Sequence, residues 1–355
     1  MFDINFYMKF DEVLNDIKNK KLKTEEEIFE RLEEIRSKDP IVYNIETTNR
    51  CNMTCKMCPR TTMMTRSIED LDMETFIKVA DQLKPHKKED WEKWKRYCEN
   101  KYGIYDNEMS ENHFFLYIIP DVIQLHGYGD PLLDQNIDKY VKILKDRGLK
   151  SYFSCNPRNI NLEKTYKMMD NGLDYIKYSI ESVDDSVSEE VRGNKANFKQ
   201  CFEDICKIID YKNKNSLDTE IVITMINLNR EDQEDDFMKL KKEFEERNVY
   251  IYLKSENGLW YRQEYHPTKS IHWSGICKHP WMTMTIKSNG EAAMCMEDFN
   301  NEIILGDVKK NSLSEIWDGE LYKQFRKEHI HGDFEKKCSK QCDMKLLCDY
   351  ICEER

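Results

Sequence analysis

Short apolar runs at residues 41–46, 122–126, 150–154, 175–179, 220–226 and 249–254 alternate with longer amphipathic stretches near 72–84, 133–147, 161–171, 197–213 and 231–247. Short runs of this kind predict strands, and the longer ones, apolar on one side of a 3.6-residue period, predict helices. Strand and helix in alternation build a parallel sheet with helices packed over it. The expected fold is therefore α/β, and six repeats predict a partial (β/α)6, TIM-like barrel. In such barrels the chemistry gathers at the carboxyl ends of the strands.

Ahead of the first strand, residues 1–40 read as a charged helical segment. Phe10, Val13, Leu14 and Ile17 fall at helical spacing, and Thr24 with Glu27 has the form of a capping box. Residues 84–120 are too long for an ordinary barrel connection. They mix charge with Trp91, Trp94, Tyr97, Tyr102, Tyr105, Phe114 and Phe115. Trp91 and Trp94 packing from one side of a helix is the plainer reading, and a lid over a polar substrate is the functional one. The barrel is expected over 41–255, followed by a linker and a separate C-terminal unit over 256–355.

Composition narrows the setting. The chain of 355 residues carries a formal charge of −12, which repels phosphate backbones and disfavours broad binding to nucleic acid. Few glycines and prolines leave little material for long linkers. No apolar run approaches bilayer length, and the opening residues Met-Phe-Asp-Ile-Asn-Phe-Tyr-Met-Lys do not form a cleavable apolar leader. With thirteen cysteines, the expectation is a reducing, cytoplasmic location in which thiolates serve metals.

Cys51, Cys55 and Cys58 stand in the run Arg50-Cys-Asn-Met-Thr-Cys-Lys-Met-Cys-Pro59, just past the first strand. Three thiolates can hold three irons of a 4Fe-4S cluster, whereas a cluster ligated wholly by protein takes four. One iron is left open. A redox pair of Cys55 and Cys58 would have no use for Cys51, and a tetrahedral zinc site needs a fourth ligand that is not nearby. Packing cysteines are the remaining plain alternative. The CxxxCxxC spacing resembles that of the radical S-adenosylmethionine (radical SAM) superfamily. The resemblance implies that SAM chelates the open iron through its amino and carboxylate groups, and that its reductive cleavage yields a 5′-deoxyadenosyl radical.

The resemblance extends downstream. Gln124-Leu-His-Gly-Tyr-Gly-Asp-Pro131 ends the second strand and is similar to the superfamily's glycine-rich GGEP motif, with Tyr128 in place of a glycine and Asp130 in place of the glutamate. Gly127, Tyr128, Gly129 and Asp130 are thereby candidate SAM contacts. Ser179, at the end of the fourth strand, and Arg192, in Val191-Arg-Gly193, resemble the family's residues that hold the SAM carboxylate; a guanidinium fork suits a carboxylate. A serine in a turn and an arginine over a loop are the structural alternative.

Residues 277–355 resemble the SPASM extension of these enzymes, which implies a small α+β unit binding one or two auxiliary 4Fe-4S clusters. Cys277 and Cys295 flank a hairpin expected to turn on Asn289-Gly290, and Cys338, Cys342, Cys348 and Cys352 follow. By the family's topology Cys277, Cys295 and Cys352 serve an inner cluster and Cys338, Cys342 and Cys348 an outer one, three cysteines each. The shortened twitch arrangement instead gives Cys277, Cys295, Cys338 and Cys342 to one complete cluster. Two clusters are expected, because the terminal Cx5Cx3C is otherwise unexplained; a zinc site at 338–352 is the alternative.

Together these features predict a radical SAM oxidoreductase that takes a hydrogen atom from a small polar substrate, sugar-like or aminocyclitol-like, with an auxiliary cluster accepting the second electron. A flavodoxin or ferredoxin is the expected electron donor. Cys155, at the end of the third strand, is a candidate hydrogen donor, which would make the enzyme an epimerase; a small buried hydrophobe is the structural reading. His126 is an acid or base candidate, or a hydrogen-bonded core histidine. A peptide or protein maturase is a further alternative, and a non-catalytic iron-sulfur interaction protein is the alternative outside enzymes.

Overall fold

The structure is a computed structural model that describes residues 1–193, 196–255 and 276–331. Six parallel strands, β1 (Val42–Ile45), β2 (Val122–Gln124), β3 (Lys150–Cys155), β4 (Tyr175–Ser179), β5 (Glu220–Ile226) and β6 (Tyr250–Lys254), each pair with the next. Helices Met73–Ala80, Ile137–Lys145, Leu162–Asp170, Phe198–Asn215 and Gln233–Glu243 connect them in turn. This is the expected partial barrel. Among the described residues no helix is long and apolar enough to cross a membrane.

Both faces of the sheet are buried, so its strands are apolar almost throughout. Phe153, Cys155, Ile176, Tyr178, Ile221, Ile223 and Met225 share one core with the covering helices. Tyr43, Val122, Tyr152, Val222, Tyr250 and Tyr252 line the barrel interior and share a second core with Phe2, Tyr7, Trp94 and Phe114. Interior positions near the strand starts are buried, whereas His126, Ser154, Ser179 and Lys254 at the carboxyl ends are half-buried. The interior therefore opens at the end where barrel chemistry is expected.

The N-terminal helices Ile4–Lys18 and Glu25–Ile35 form as expected, the second with a complete capping box between Thr24 and Glu27. The segment read as a candidate lid behaves differently. Its helix, Lys88–Tyr102, buries Trp94 against Tyr7 at 5.1 Å and Phe2 at 5.9 Å between ring centroids. Beside Phe2, the Met1 amine donates to the Val42 and Val122 carbonyls at the start of β1 and β2. The helix thus closes the amino-terminal end of the barrel, and Phe114 fills the interior. Its aromatic residues bury apolar surface that an open barrel would expose; they do not cover the mouth.

On the other edge, β7 (Met284–Ile286) pairs in parallel with β1 and leads through β8 (Glu291–Ala293) to β9 (Ile304–Asp307), making one nine-stranded sheet. The β7–β8 turn is not the two-residue type expected. Gly290 N–H donates to Lys287 O and Lys287 N–H to Glu291 O, and only Gly290, at φ +88°, is left-handed. Ser288 and Asn289 form the centre of the turn and Gly290 the bulge after it. A primed two-residue turn would need positive φ at Asn289 as well.

Candidate functional site

The loop carrying Cys51, Cys55 and Cys58 leaves β1 and is held from two sides. Thr54 and Lys56 N–H groups donate to the carbonyls of Arg192 (3.1 Å) and Val191 (2.9 Å), at the end of helix Asp185–Arg192. Carbonyls there lack intrahelical partners, so the loop satisfies them. Gly193 lets the two approach: a Cβ on it would lie 1.9 Å from Thr54 Oγ1, and its φ is +62°. Opposite, Asp130 N–H donates to Arg50 O at 2.7 Å, and a Cβ on Gly129 would lie 2.2 Å from Thr48 O. Gly129 of the second loop is thus required by close backbone contact with the segment that leads into the cysteine loop.

Cys55 is buried and Cys51 and Cys58 are half-buried. Burial pushes the Cys51 thiol up, and the Cys58 thiol up to about 11. Such thiols are inert unless iron deprotonates them. Among the described residues no group of three His, Cys, Asp or Glu side chains is gathered tightly enough for a single metal ion. A tetrahedral zinc site would draw its sulfurs to about 3.8 Å apart, whereas a cubane cluster spreads its ligands over separate irons. Three cysteines on one clamped loop, beside a guanidinium and a glycine-lined backbone, fit a cluster with one open iron.

A hub not foreseen from the sequence lies beneath the glycine loop. Glu46 is fully buried and accepts from Arg66 at 2.8 Å, from Tyr128 N–H at 3.2 Å, and from the Ser288 N–H and hydroxyl at 3.2 Å. Burial works against its charge, but Lys287 and Arg66 hold its carboxyl below the usual range. A Cβ on Gly127 would meet this carboxylate at 2.5 Å. Glu46 joins β1, the glycine loop and the β7–β8 turn. The only sequence signal for it is an acidic residue directly after an apolar strand.

The remaining predicted residues separate by side-chain direction. Tyr128 donates from its hydroxyl to Glu297 Oε2 at 2.8 Å, so its ring faces the C-terminal unit while its backbone faces Glu46. The Asp130 carboxylate accepts from Leu132 N–H (3.0 Å), Asn156 N–H (3.1 Å) and Asn159 Nδ2 (2.7 Å), and its side chain organises the loops. Burial raises its pKa. Ser179 faces the interior, 3.4 Å from the Ser154 hydroxyl, and lines one cavity with Met53, Asn156, Glu181 and Arg192. Arg192 Nη1 donates to Cys55 Sγ at 3.8 Å, and Nη2 pairs with the buried Glu181 carboxylate. Burial opposes its charge, yet Glu181 and Cys55 keep the guanidinium firmly protonated.

Cys155 does not join this group. Its side chain packs in the helix-facing core and its thiol donates to Lys177 O at 3.6 Å, on the opposite side of β3 from Tyr152 and Ser154. Burial raises its pKa well above the ordinary thiol value. The residue that the strand directs into the mouth is Ser154, and Cys155 is placed as a small core hydrophobe. His126 does face the interior, where its Nδ1 accepts from Ser154 N–H at 3.3 Å and its ring stands edge-on to Tyr152. Lys177 and Lys254 also point there, and neither was among the expected site residues.

In the C-terminal part, Cys277 and Cys295 are both buried. Cys277 N–H donates to His329 Nε2 at 2.9 Å, and Cys295 lies just past β8, after Met294. Cys338, Cys342, Cys348 and Cys352 lie outside the described residues.

The family model described as the Radical SAM superfamily matches residues 111–240, and that of the SPASM iron-sulfur cluster-binding domain matches 277–343. The tungsten-containing aldehyde ferredoxin oxidoreductase cofactor-modifying protein of Pyrococcus furiosus is 20% identical over 352 residues, covering 86% of this chain and 88% of that protein. Native anSMEcpe with bound AdoMet superimposes with a TM-score of 0.51 at 13% identity, over 87% of this chain and 88% of that one. BtrN in complex with AdoMet and 2-DOIA gives a TM-score of 0.47 at 14% identity, over 86% and 94%.

The partial barrel and the two matched families define an iron-sulfur enzyme. Residues 111–240 carry a radical SAM domain, and residues 277–343 a C-terminal SPASM iron-sulfur cluster-binding domain. The enzyme's cofactors are a SAM-binding 4Fe-4S cluster, SAM, and auxiliary iron-sulfur centres in the SPASM domain.

Proposed function

We propose that this enzyme oxidises a carbon centre of a small polar substrate bound in the mouth of the barrel. When bound, the cluster and SAM supply a 5′-deoxyadenosyl radical that removes a hydrogen atom from that carbon, and the cofactor carries this difficult chemistry. Cys51, Cys55 and Cys58 hold the cluster. The backbone of Gly127 and Gly129, with Ser179 and Arg192, orients SAM; Tyr128 and Asp130 act by holding the loop that presents those glycines. The aromatic plug at the amino end of the barrel excludes water from below. Cys277 and Cys295 would hold an auxiliary cluster able to accept the second electron, and a flavodoxin or ferredoxin would supply the first.

The observation that carries this reading is the continuous sheet. β7 pairs directly with β1, so the strand leading to the SAM-cluster loop and the hairpin leading to Cys295 are neighbours. An electron acceptor built into the barrel edge suits oxidation. Epimerisation through Cys155 loses support, because that thiol faces the helices. The Pyrococcus furiosus relative, named for modifying a cofactor, is in keeping with a small-molecule target.

Product analysis in deuterated solvent tests the reading. Oxidation yields a carbonyl product with no solvent deuterium at the reacting carbon. A product of unchanged oxidation state that carries solvent deuterium there would overturn it in favour of epimerisation.

A further inference from the structure

We infer that Lys177, with Lys254 beside it, forms a subsite inside the barrel that binds an anionic group of the substrate, a carboxylate or a phosphate. The inference rests on the proposed reading, which puts the substrate in the barrel mouth next to Ser179.

Lys177 sits in the middle of β4, between Ile176 and Tyr178, which face the helices. Its own side chain points the other way, and it is only 7% exposed. The ammonium lies 5.4 Å from the Phe114 ring centroid and 5.5 Å from that of Tyr152. Among the described residues it makes no hydrogen bond or ion pair. Two aromatic faces return about 0.5–2 kcal/mol each to a cation, whereas an unpaired buried ammonium costs several kcal/mol. Tyr152, Val222 and Tyr252 show that this wall otherwise takes apolar residues. A lysine kept there at such a cost is a functional-site candidate.

The surroundings are those of a receptor for negative charge. Lys254 ends β6 and raises the positive potential at Lys177, with Arg192 adding to it; Glu111 and Cys155 oppose them. The Lys254 ammonium donates to the Ser255 carbonyl at 3.1 Å. His126 is pushed down to about 3 by burial and by Lys177, so it is neutral at working pH. Because its Nδ1 accepts from Ser154 N–H, its proton sits on Nε2 as a further donor. Lys177 is two residues before Ser179 on the same face of β4, which puts it about 6.6 Å deeper in the barrel. A substrate anion held there would extend its carbon skeleton toward the SAM side.

Burial, then Lys254, lowers Lys177 to about 7; Tyr152 and Tyr252 beside it stay neutral, since burial raises both. A bound anion would restore the ammonium. Anion binding is therefore strong below that value and fades as pH rises through it.

The test uses the full chain, cluster-loaded and anaerobic, with SAM and with inorganic phosphate or succinate as probes against sodium chloride of equal ionic strength. Site-resolved acetylation by acetic anhydride, read by mass spectrometry, should show Lys177 slowed about fivefold or more, saturably, by at least one probe. Exposed Lys21 should be unaffected. Protection by phosphate alone assigns a phosphate ester, and protection by succinate assigns a carboxylate. No protection beyond chloride by either probe overturns the subsite. Lys177→Met gives the second arm: it removes an unpaired buried charge, so it should fold at least as stably, yet lose any probe-induced rise in Tm. A full rise in that variant would also overturn the inference. Formation of 5′-deoxyadenosine by the native chain is measured separately; its absence would sink the radical reading without touching the protection result.

Discussion

Arg192 bridges Cys55 and Glu181: one guanidinium nitrogen donates to the Cys55 sulfur at 3.8 Å and the other pairs with the buried Glu181 carboxylate. The residue proposed to hold SAM is thus fixed by an acid on one side and a proposed cluster ligand on the other. Its backbone carbonyl also receives Thr54 N–H of the cysteine loop. A single residue couples the geometry of the cysteine loop to that of the proposed SAM site.

Arg192→Met is expected to weaken SAM binding by about 10- to 100-fold, the worth of a charge-assisted hydrogen bond of ~1.5–3 kcal/mol. Arg192→Lys keeps the charge but not the fork and should recover only part of the loss. Equilibrium binding of SAM to the cluster-loaded chain measures both. Native affinity in Arg192→Met would remove Arg192 from the SAM site.

Gly129→Ala should impair cluster loading. Its new Cβ would meet backbone oxygens of Thr48 and Arg50 at 2.2 and 2.8 Å, which cannot yield as a flexible side chain would, and overpacking of this kind costs about 1–3 kcal/mol or more. Gly103→Ala is the control: nothing lies within 4 Å of its Cβ, and only its φ of +67° is unfavourable. Iron content after anaerobic reconstitution should fall in the first variant and stay at the native level in the second.

Glu46 makes stability depend on acid pH. Its folded-state pKa is lowered, by Lys287 and Arg66 against burial, so its contribution is fully present above the unfolded carboxylate value and is lost as pH falls through the folded one. Denaturant unfolding from about pH 7 down to 3 should show a declining stability that Glu46→Gln shows less steeply. At neutral pH, Glu46→Ala should cost about 3–5 kcal/mol, because it leaves Arg66 buried without its partner. An unchanged pH profile in Glu46→Gln would contradict the assignment.

Cys155→Ala should behave as a core truncation. A stability loss of about 1 kcal/mol is expected for a small cavity, with product identity unchanged. Loss of turnover with SAM cleavage intact would instead restore the thiol as a hydrogen donor.

Barrel order and the cysteine loop are legible in the sequence because they rest on local signals. β4 and β5 fall at 175–179 and 220–226 as expected, since apolar runs there are bounded by polar turns. Which side of a strand faces the interior is not legible. In β3 both Tyr152 and Phe153 are buried, so alternation vanishes and Cys155 cannot be assigned to a side. Lys177 and Lys254 carried a usable signal, each a charge inside an otherwise apolar strand. Glu46 and Glu181 gain their meaning only from partners distant in sequence, Arg66, Ser288 and Arg192. The turn at Gly290 depends on the register of β7 against β8, which the Asn289-Gly290 pair does not specify.

Radical generation at the loop of Cys51, Cys55 and Cys58 underlies every later step of the proposed reaction. The measurement is 5′-deoxyadenosine, by mass spectrometry, from the anaerobically reconstituted chain with SAM and dithionite. The native chain should form it, and the variant with all three cysteines changed to alanine should form none. A native chain that binds its iron and sulfide in full yet yields no 5′-deoxyadenosine would contradict the account.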